Sequence, residues 1–415
     1  MMIKLGIIRE GKKPIDERVP LSPKQCKQVA DTYSNVKVYI QSSEIRRFKD
    51  QEYLDEGLTV AKDVSDCDIL MGVKEVPINE LIANKTYLFF SHTIKKQPYN
   101  RLLLQAIIHK NVNHIDYECL ANKRGRIVGF GRYAGIVGAY NGLLAYGLRT
   151  KSFELKPAYK CDDIEELKQQ LETLKFDKPI NIALTGRGRV ASGAIEVLEY
   201  LKIRKVTSDE YLSQSFNESV YNQLAITDYN KPIDNSEGEI KDFHNSPEKY
   251  KSDFKKYTSC TDLYISGHFW KEGSPFIFTR DDMKSTDFNI KVVADVSCDI
   301  DGPVACTIRP STIPDPIYGY DPITELETNF DDPNSITVMA VDNLPCELPK
   351  DASVDFGNEL LKNVLPHLFG DDSEKVIDNA TMTKNGSLTE RYSYLEDYLK
   401  GNENAHLVCV DDIAN

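Results

Sequence analysis

One pattern leaves few folds open to this chain: strand-length apolar runs alternate with helix-spaced runs from the first residues onward. Ile3 to Ile8 reads as a strand, and Ser22 to Thr32 as a helix behind a Ser-Pro cap. Val36 to Ile40, Ile69 to Val73 and Tyr87 to Phe90 read as further strands. Gln97 to Lys110 is an amphipathic helix, and Val112 to Asp116 another strand. Strand–helix–strand order requires crossover connections, which build a mostly parallel sheet covered by helices. A second block of the same kind follows the apolar, small-residue-rich helix Tyr133 to Leu148. After a helix at Asp162 to Lys175 come a strand at Ile180 to Leu184 and a helix at Ala191 to Leu201. Strands are then expected at Leu224 to Ile226, Leu263 to Ile265, Val292 to Asp295 and Ile336 to Val341, and closing helices at Ala352 to Leu365 and Leu388 to Leu399. The polar stretch Asp228 to Lys256 reads as a surface insertion. The expectation is an α/β chain of two Rossmann-like domains with parallel sheets. A ligand cleft would lie between them, and the apolar helix would be a buried connection.

At 415 residues the chain has room for two cores. Its net charge of −13 speaks against a nucleic-acid backbone as partner. No apolar run is long enough to span a bilayer, and MMIKLGIIREGKK lacks the pattern of a signal peptide. The nine cysteines (Cys26, Cys67, Cys119, Cys161, Cys260, Cys298, Cys306, Cys346, Cys409) are scattered and never spaced as CxxC. They read as small hydrophobes in a reducing cytoplasm, with neither a disulfide frame nor a zinc site. Asp295, Cys298 and Asp299 lie close in sequence, but no histidine accompanies them, so no metal is expected.

The stretch LTGRGRVASGA follows a strand and opens a helix. Gly186 and Gly188 permit a tight turn and a close approach to a pyrophosphate, whose charge the helix N-terminus favours. Strand, turn and helix in this order make the motif a nucleotide-site candidate, though a plain turn of this composition also exists. Arg187 and Arg189 are placed to meet phosphates or solvent. The acidic residue that would bind a ribose hydroxyl is expected about 20 residues on. Asp209 is the candidate, a little late, behind the neutral Thr207 and Ser208. The choice between NAD and NADP stays open.

Charged residues also gather where the N-terminal strands end: Arg9, Lys12, Lys13 and Arg18; Lys74 and Glu75; His92; Asp116 and Glu118. Singly, each has a plain reading as a structural histidine, a surface pair or a strand end. Together, on the ligand-facing rim of a parallel sheet, they need partners and suggest a site. Arg132 to Gly135 reads as structural, its small residues allowing close helix packing.

These pieces resemble a known family. REGKKPIDERVPLSP, GVKEVP, FFSHT, DYE, GFGRYAGIVGA, ADVSCDIDG with DPIYGYDP, and VDNLP span nearly the whole chain in family order. They are similar to the saccharopine dehydrogenases (lysine-forming) and lysine–2-oxoglutarate reductases, within the group of alanine dehydrogenase and nicotinamide nucleotide transhydrogenase. The resemblance implies a discontinuous substrate domain, residues 1–132 with about 345–415, around a dinucleotide-binding domain, residues 133–344. It implies NAD or NADP as cofactor and interconversion of saccharopine with lysine and 2-oxoglutarate. Lys74 then looks like the catalytic lysine and His92 like the catalytic histidine. Lys13, Arg18, Glu75, Lys95 and Glu118 correspond to the substrate site, and Asp342 to a position near the nicotinamide. The glycine loop and the insertion at 228–256 depart from the lysine-forming branch. An alanine-dehydrogenase-like or opine-type enzyme is the alternative, and a non-catalytic nucleotide-binding regulator an alternative of another class. The partners expected are an amino acid and a 2-oxo acid, and a homo-oligomer is compatible.

Overall fold

The computed structural model describes residues 2–123, 125–271 and 273–401; Cys409 lies outside them. The chain divides into two compact units: Gly131–Leu348, and the residues before and after it.

The first unit is a parallel sheet of β1 (Ile3–Ile7), β2 (Val36–Gln41), β3 (Thr59–Ala61), β4 (Ile69–Met71), β5 (Thr86–Phe89) and β6 (Asn113–Asp116), in the spatial order β6-β5-β4-β1-β2-β3. Leu5, Ile7, Met71, Leu88 and Ile115 are fully or almost fully buried in its core. Near-continuous apolar strands of this kind are what a sheet covered on both faces requires. Helix α1 (Pro23–Thr32) starts at Ser22 with proline in its first turn, as the sequence predicts. The amphipathic run after β5 begins as a 3₁₀ turn at Pro98–Asn100, so its α-helix is only Arg101–His109.

The second unit opens with α2 (Gly131–Thr150). Its sheet contains β7 (Asn181–Thr185), β8 (Arg204–Val206), β9 (Val220–Leu224), β10 (Leu263–Ser266), β11 (Val292–Asp295), β12 (Ile317–Tyr320), β13 (Glu327–Thr328) and β14 (Ile336–Met339). The order is β8-β9-β7-β10-β11-β14-β12-β13, parallel except at β12 and β13. After β7 comes α3 (Arg189–Tyr200). The expected strand at Leu224 to Ile226 lies earlier in the chain, because Ala225 begins a short helix, Ile226–Tyr229, closed by the Asp228 carboxylate on the Ala225 N–H at 2.6 Å. The polar insertion is not wholly a surface feature. Asn230–Pro232 pairs with Tyr250–Ser252, and Tyr229, Phe243, Tyr250 and Phe254 are buried.

Helix α2 packs along α3 within this unit through Gly131 and Gly135, while Gly138 and Gly142 admit Val296, Ala294 and Leu263. A Cβ on Gly135 would lie 1.8 Å from the Val190 carbonyl oxygen, and one on Gly193 would lie 1.9 Å from that of Arg132. The two backbones touch where side chains are missing, so the glycines serve helix–helix contact.

Glu347 is buried in the same unit, its carboxylate accepting from Asn141 Nδ2 at 2.7 Å. Burial outweighs its hydrogen bonds and pushes its pKa up to about 7. The folded chain therefore keeps a proton that the unfolded chain releases near its ordinary carboxyl value. Stability should fall as pH rises from about 4.5 through about 7, with a slope of at most about 1.4 kcal/mol per pH unit from this group. Melting curves of Glu347→Gln should lose that slope; an unchanged pH dependence would remove the assignment.

The chain then returns to the first unit through α4 (Pro349–Asn363). The helix expected at Leu388 to Leu399 is instead a 3₁₀ segment, Glu390–Leu395, and the short helix Glu396–Lys400; ahead of it β15 (Thr381–Lys384) and β16 (Ser387–Leu388) form a hairpin, with β15 antiparallel to β6. Thr381, Thr383 and Thr389 suit strands and turns, and Asn385-Gly386 has the positive φ of a tight hairpin. Among the described residues no helix is long and apolar enough to cross a membrane.

Candidate active site

The neighbours β6, β5, β4 and β1 end on one rim of the first sheet. The chain order reverses between β1 and β4, the position at which open parallel sheets hold their ligands. Glu10 spans this reversal. Leaving β1, it accepts the backbone N–H of Val73 at 2.7 Å and of Lys74 at 2.9 Å, fixing the segment that carries Lys74. Burial pushes the Glu10 carboxyl up to about 8, the Asp16 charge adding to the shift. Asp16 goes the other way. Burial would raise it, but the Arg18 guanidinium at 2.6 Å holds it well below the carboxylate range. Two neighbouring carboxyls are thus driven apart, one towards the protonated form and one ionised.

Lys74 is mostly buried, and burial lowers its ammonium below the ordinary lysine value. Repulsion from Arg18 and Lys12 adds to this, while Glu75 and Asp16 oppose it. Lys12 reaches Glu75 at 2.8 Å, whereas Lys13 is exposed. Arg18 is only 1% exposed, binds Asp16 through Nε and Nη2, and lies 4.1 Å over the Phe130 ring.

The next strand end carries His92. The ladder runs past β5, with Phe90 N–H donating to Val73 O at 2.9 Å, so Lys74 and His92 leave neighbouring strands within two residues of a shared rung. His92 has φ of 55°, a left-handed conformation unusual for a non-glycine, and opens the 3₁₀ turn Thr93–Lys95. Its Nδ1 lies 3.2 Å from Glu118 Oε2, close enough for an ion pair but off the line of a hydrogen bond. Lys95, half exposed, lies 3.9 Å from the other Glu118 oxygen. Burial would raise Glu118, but His92, Lys95 and Arg126 together hold it low. Asp116 is taken up by structure. It accepts the Ser91 N–H at 3.1 Å, the Ser91 hydroxyl and the Glu118 N–H at 2.8 Å, and burial raises it to about 6.

Aromatic rings join the two charged groups. His92 stacks parallel to Phe90 at 6.0 Å, Phe90 meets Phe130 and Phe356, and Arg18 covers Phe130. Sequence reasoning did not single out Glu10, Asp16, Phe90 or Phe356. Glu10 and Asp16 were legible as acids inside a basic motif. Phe356 carries no local signal, since only the return of the chain through α4 brings it here.

In the second unit, Gly186 turns the chain after β7 with φ of 97°; a Cβ there would lie 2.1 Å from Gly267 O. Gly188 caps α3 and faces open space, with nothing within 4 Å of an added Cβ. A left-handed turn, an open approach and the N-terminus of a twelve-residue helix fit a dinucleotide phosphate. Arg189, the first residue of α3, is half-buried. Asp209 is exposed in the short helix after β8. β8 is the sheet edge and β9 lies between it and β7, so the strand end beside the glycine turn is Leu224, not Val206. Asp342 is exposed just beyond β14. Asp295 is buried and satisfied by the hydroxyls of Ser266 at 2.6 Å, Ser297 at 2.6 Å and Thr307 at 2.7 Å. Among the described residues no group of three or more His, Cys, Asp and Glu side chains is arranged to hold a metal ion.

Fold and rim together define the class of fold: an α/β chain with two mostly parallel sheets. Residues 6–137 match the family described as alanine dehydrogenase/PNT, N-terminal domain. The fold is similar to that of a solved L-alanine dehydrogenase (TM-score 0.61, 16% identity, 96% of this chain and 99% of that one). It is also similar to a transhydrogenase from Sinorhizobium meliloti (TM-score 0.57, 12% identity, 93% and 98%). Within that class, the chain is similar over 96% of its length to the alpha-aminoadipic semialdehyde synthase of Mus musculus, at 29% identity, and spans 48% of that relative. It is 23% identical to the lysine-forming saccharopine dehydrogenase of Yarrowia lipolytica, over 86% of this chain and 90% of that one. The resemblance read from the motifs therefore holds, and the chain spans about half the length of the mammalian relatives it matches.

Proposed function

We propose that the chain is an NAD(P)-dependent oxidoreductase acting on the CH–NH bond of saccharopine, interconverting it with lysine and 2-oxoglutarate. The observation that carries the reading is the rim itself: a lysine with a lowered pKa, clamped by Glu10, one strand from a histidine paired with Glu118. An amine and an imidazole side by side are proton-transfer groups. The relatives' names and the fitted glycine cradle support the class of substrate and the cofactor.

A bound nicotinamide would supply the hydride acceptor, or the donor in reverse. What remains is proton handling by this chain. Lys74, whose charged form is disfavoured by burial and by neighbouring cations, takes a proton from the water that adds to the substrate carbon. His92, held by Glu118 and by its stack on Phe90, protonates the departing amine. Lys13 and Lys95 are solvent-accessible cations for substrate carboxylates. Arg18, locked on Asp16, sets the field at Lys74. Gly186, Gly188 and Arg189 would hold the pyrophosphate of a bound dinucleotide, and Asp342 is the residue that the family resemblance assigns to the nicotinamide end. The described cysteines are all free thiols, consistent with a reducing compartment, which we take to be the cytoplasm.

The test follows reduced-nicotinamide absorbance with NADH and with NADPH, 2-oxoglutarate, and lysine against a panel of other amines. Lysine-dependent oxidation is expected. Turnover with ammonia and pyruvate alone would favour the alanine-dehydrogenase reading, and nucleotide binding without turnover a regulator.

A further inference from the structure

Three hydrogen-bonding groups of the second unit are buried without partners close in the chain to the strand ends beside the glycine turn: Tyr229 OH, His268 Nε2 and Trp270 Nε1. Burying such atoms unpaired is costly, and a site that awaits a polar ligand is one reason to find them together. His268 is the best defined. It follows β10, the strand beside β7, and its Cα would lie 2.9 Å from a Cβ on Gly186, so its backbone abuts the glycine turn. Its ring meets that of Tyr229 edge-on. On the other side, Thr185 Oγ1 lies 3.0 Å and Tyr264 OH 3.3 Å from Nδ1, and the two hydroxyls lie 2.9 Å from each other. We assign the hydroxyl protons as a chain, tyrosine to threonine to Nδ1, since this arrangement satisfies both. Nδ1 is then the acceptor, and the proton of the neutral ring sits on Nε2. Burial disfavours the charged ring and keeps it in this neutral form. The result is a positioned N–H with nothing to donate to, next to the turn expected to meet a phosphate.

Resting on the reading of this unit as nucleotide-binding, we propose that His268 contacts the dinucleotide, donating from Nε2 to a phosphate or ribose oxygen beside Gly186. Asp209, out at the sheet edge, is then not needed for that contact.

The experiment is calorimetric titration of the full chain with NADH, NADPH, ADP and adenosine, with thermal melting of the unliganded protein as control. His268→Asn retains a polar atom towards Thr185 but removes the Nε2 donor. His268→Gln places an amide near Nε2. His268→Asn is expected to raise the Kd for the preferred dinucleotide about tenfold or more with little change in melting temperature, while His268→Gln stays within about threefold of the parent. A phosphate contact would weaken ADP and dinucleotide but not adenosine; a ribose contact would weaken all three. Parent-like binding by His268→Asn, or equal losses in both variants, would overturn the proposal. Failure of the unaltered chain to bind any dinucleotide would instead overturn the function proposed above.

Discussion

Replacing Lys74 by methionine is expected to lower turnover about 10²–10⁴-fold, the range for loss of a positioned acid–base group. The side chains are similar in length, so packing at the end of β4 is kept while the amine is lost. The backbone of residue 74 stays held by Glu10, whose two hydrogen bonds go to main-chain N–H groups and do not depend on the side chain. The pH profile carries a second readout. If Lys74 acts as a base with a lowered pKa, the limb of kcat that rises with pH should disappear in the variant. Near-parent turnover, or an unchanged limb, would remove Lys74 from the chemistry and leave it a structural cation.

The second large effect is on stability. Gly135→Ala would set a methyl group 1.8 Å from the Val190 carbonyl oxygen. The opposing atom belongs to the backbone of another helix, so relief needs α2 and α3 to separate along their whole contact. The cost should be about 3 kcal/mol, at the upper end for overpacking, and visible as a lower midpoint in urea unfolding. Gly188→Ala is the contrast. Its new methyl faces open space, and its φ of −86° suits any residue. Stability should change by no more than about 0.5 kcal/mol, while the Kd for dinucleotide rises. Equal destabilisation by the two substitutions would show that the crowding at Gly135 is not what the helix pair depends on.

These substitutions fall on glycines that the sequence reads differently, Gly135 as packing and Gly188 as a nucleotide turn, but the second backbone that crowds Gly135 appears only in the fold. The same division runs through the site. Lys74 and His92 were legible as candidates because several strand ends carry charge to one rim and because GVKEVP and FFSHT match family motifs. The sheet order that makes β4 and β5 neighbours, and Glu10's reach across from β1, depend on pairings between segments far apart in the chain. Asp209 was chosen by counting from the glycine loop. The count assumes that the next strand lies beside the first, but β9 takes that place.

The sequence by itself determined that the chain is α/β, that it has two blocks, where most strands and helices lie, and which family its motifs resemble. Periodicity, caps and turn residues act over a few neighbouring positions, so they can be read from one chain. Tertiary structure alone decided which strands are adjacent and which acid is held ionised while its neighbour keeps a proton. It also decided that Phe356 lies against Phe130, and that Gly135 of α2 serves packing on α3. Those outcomes depend on burial and on contacts between segments separated in the chain, and no local pattern encodes the dielectric or the neighbours that a side chain will meet.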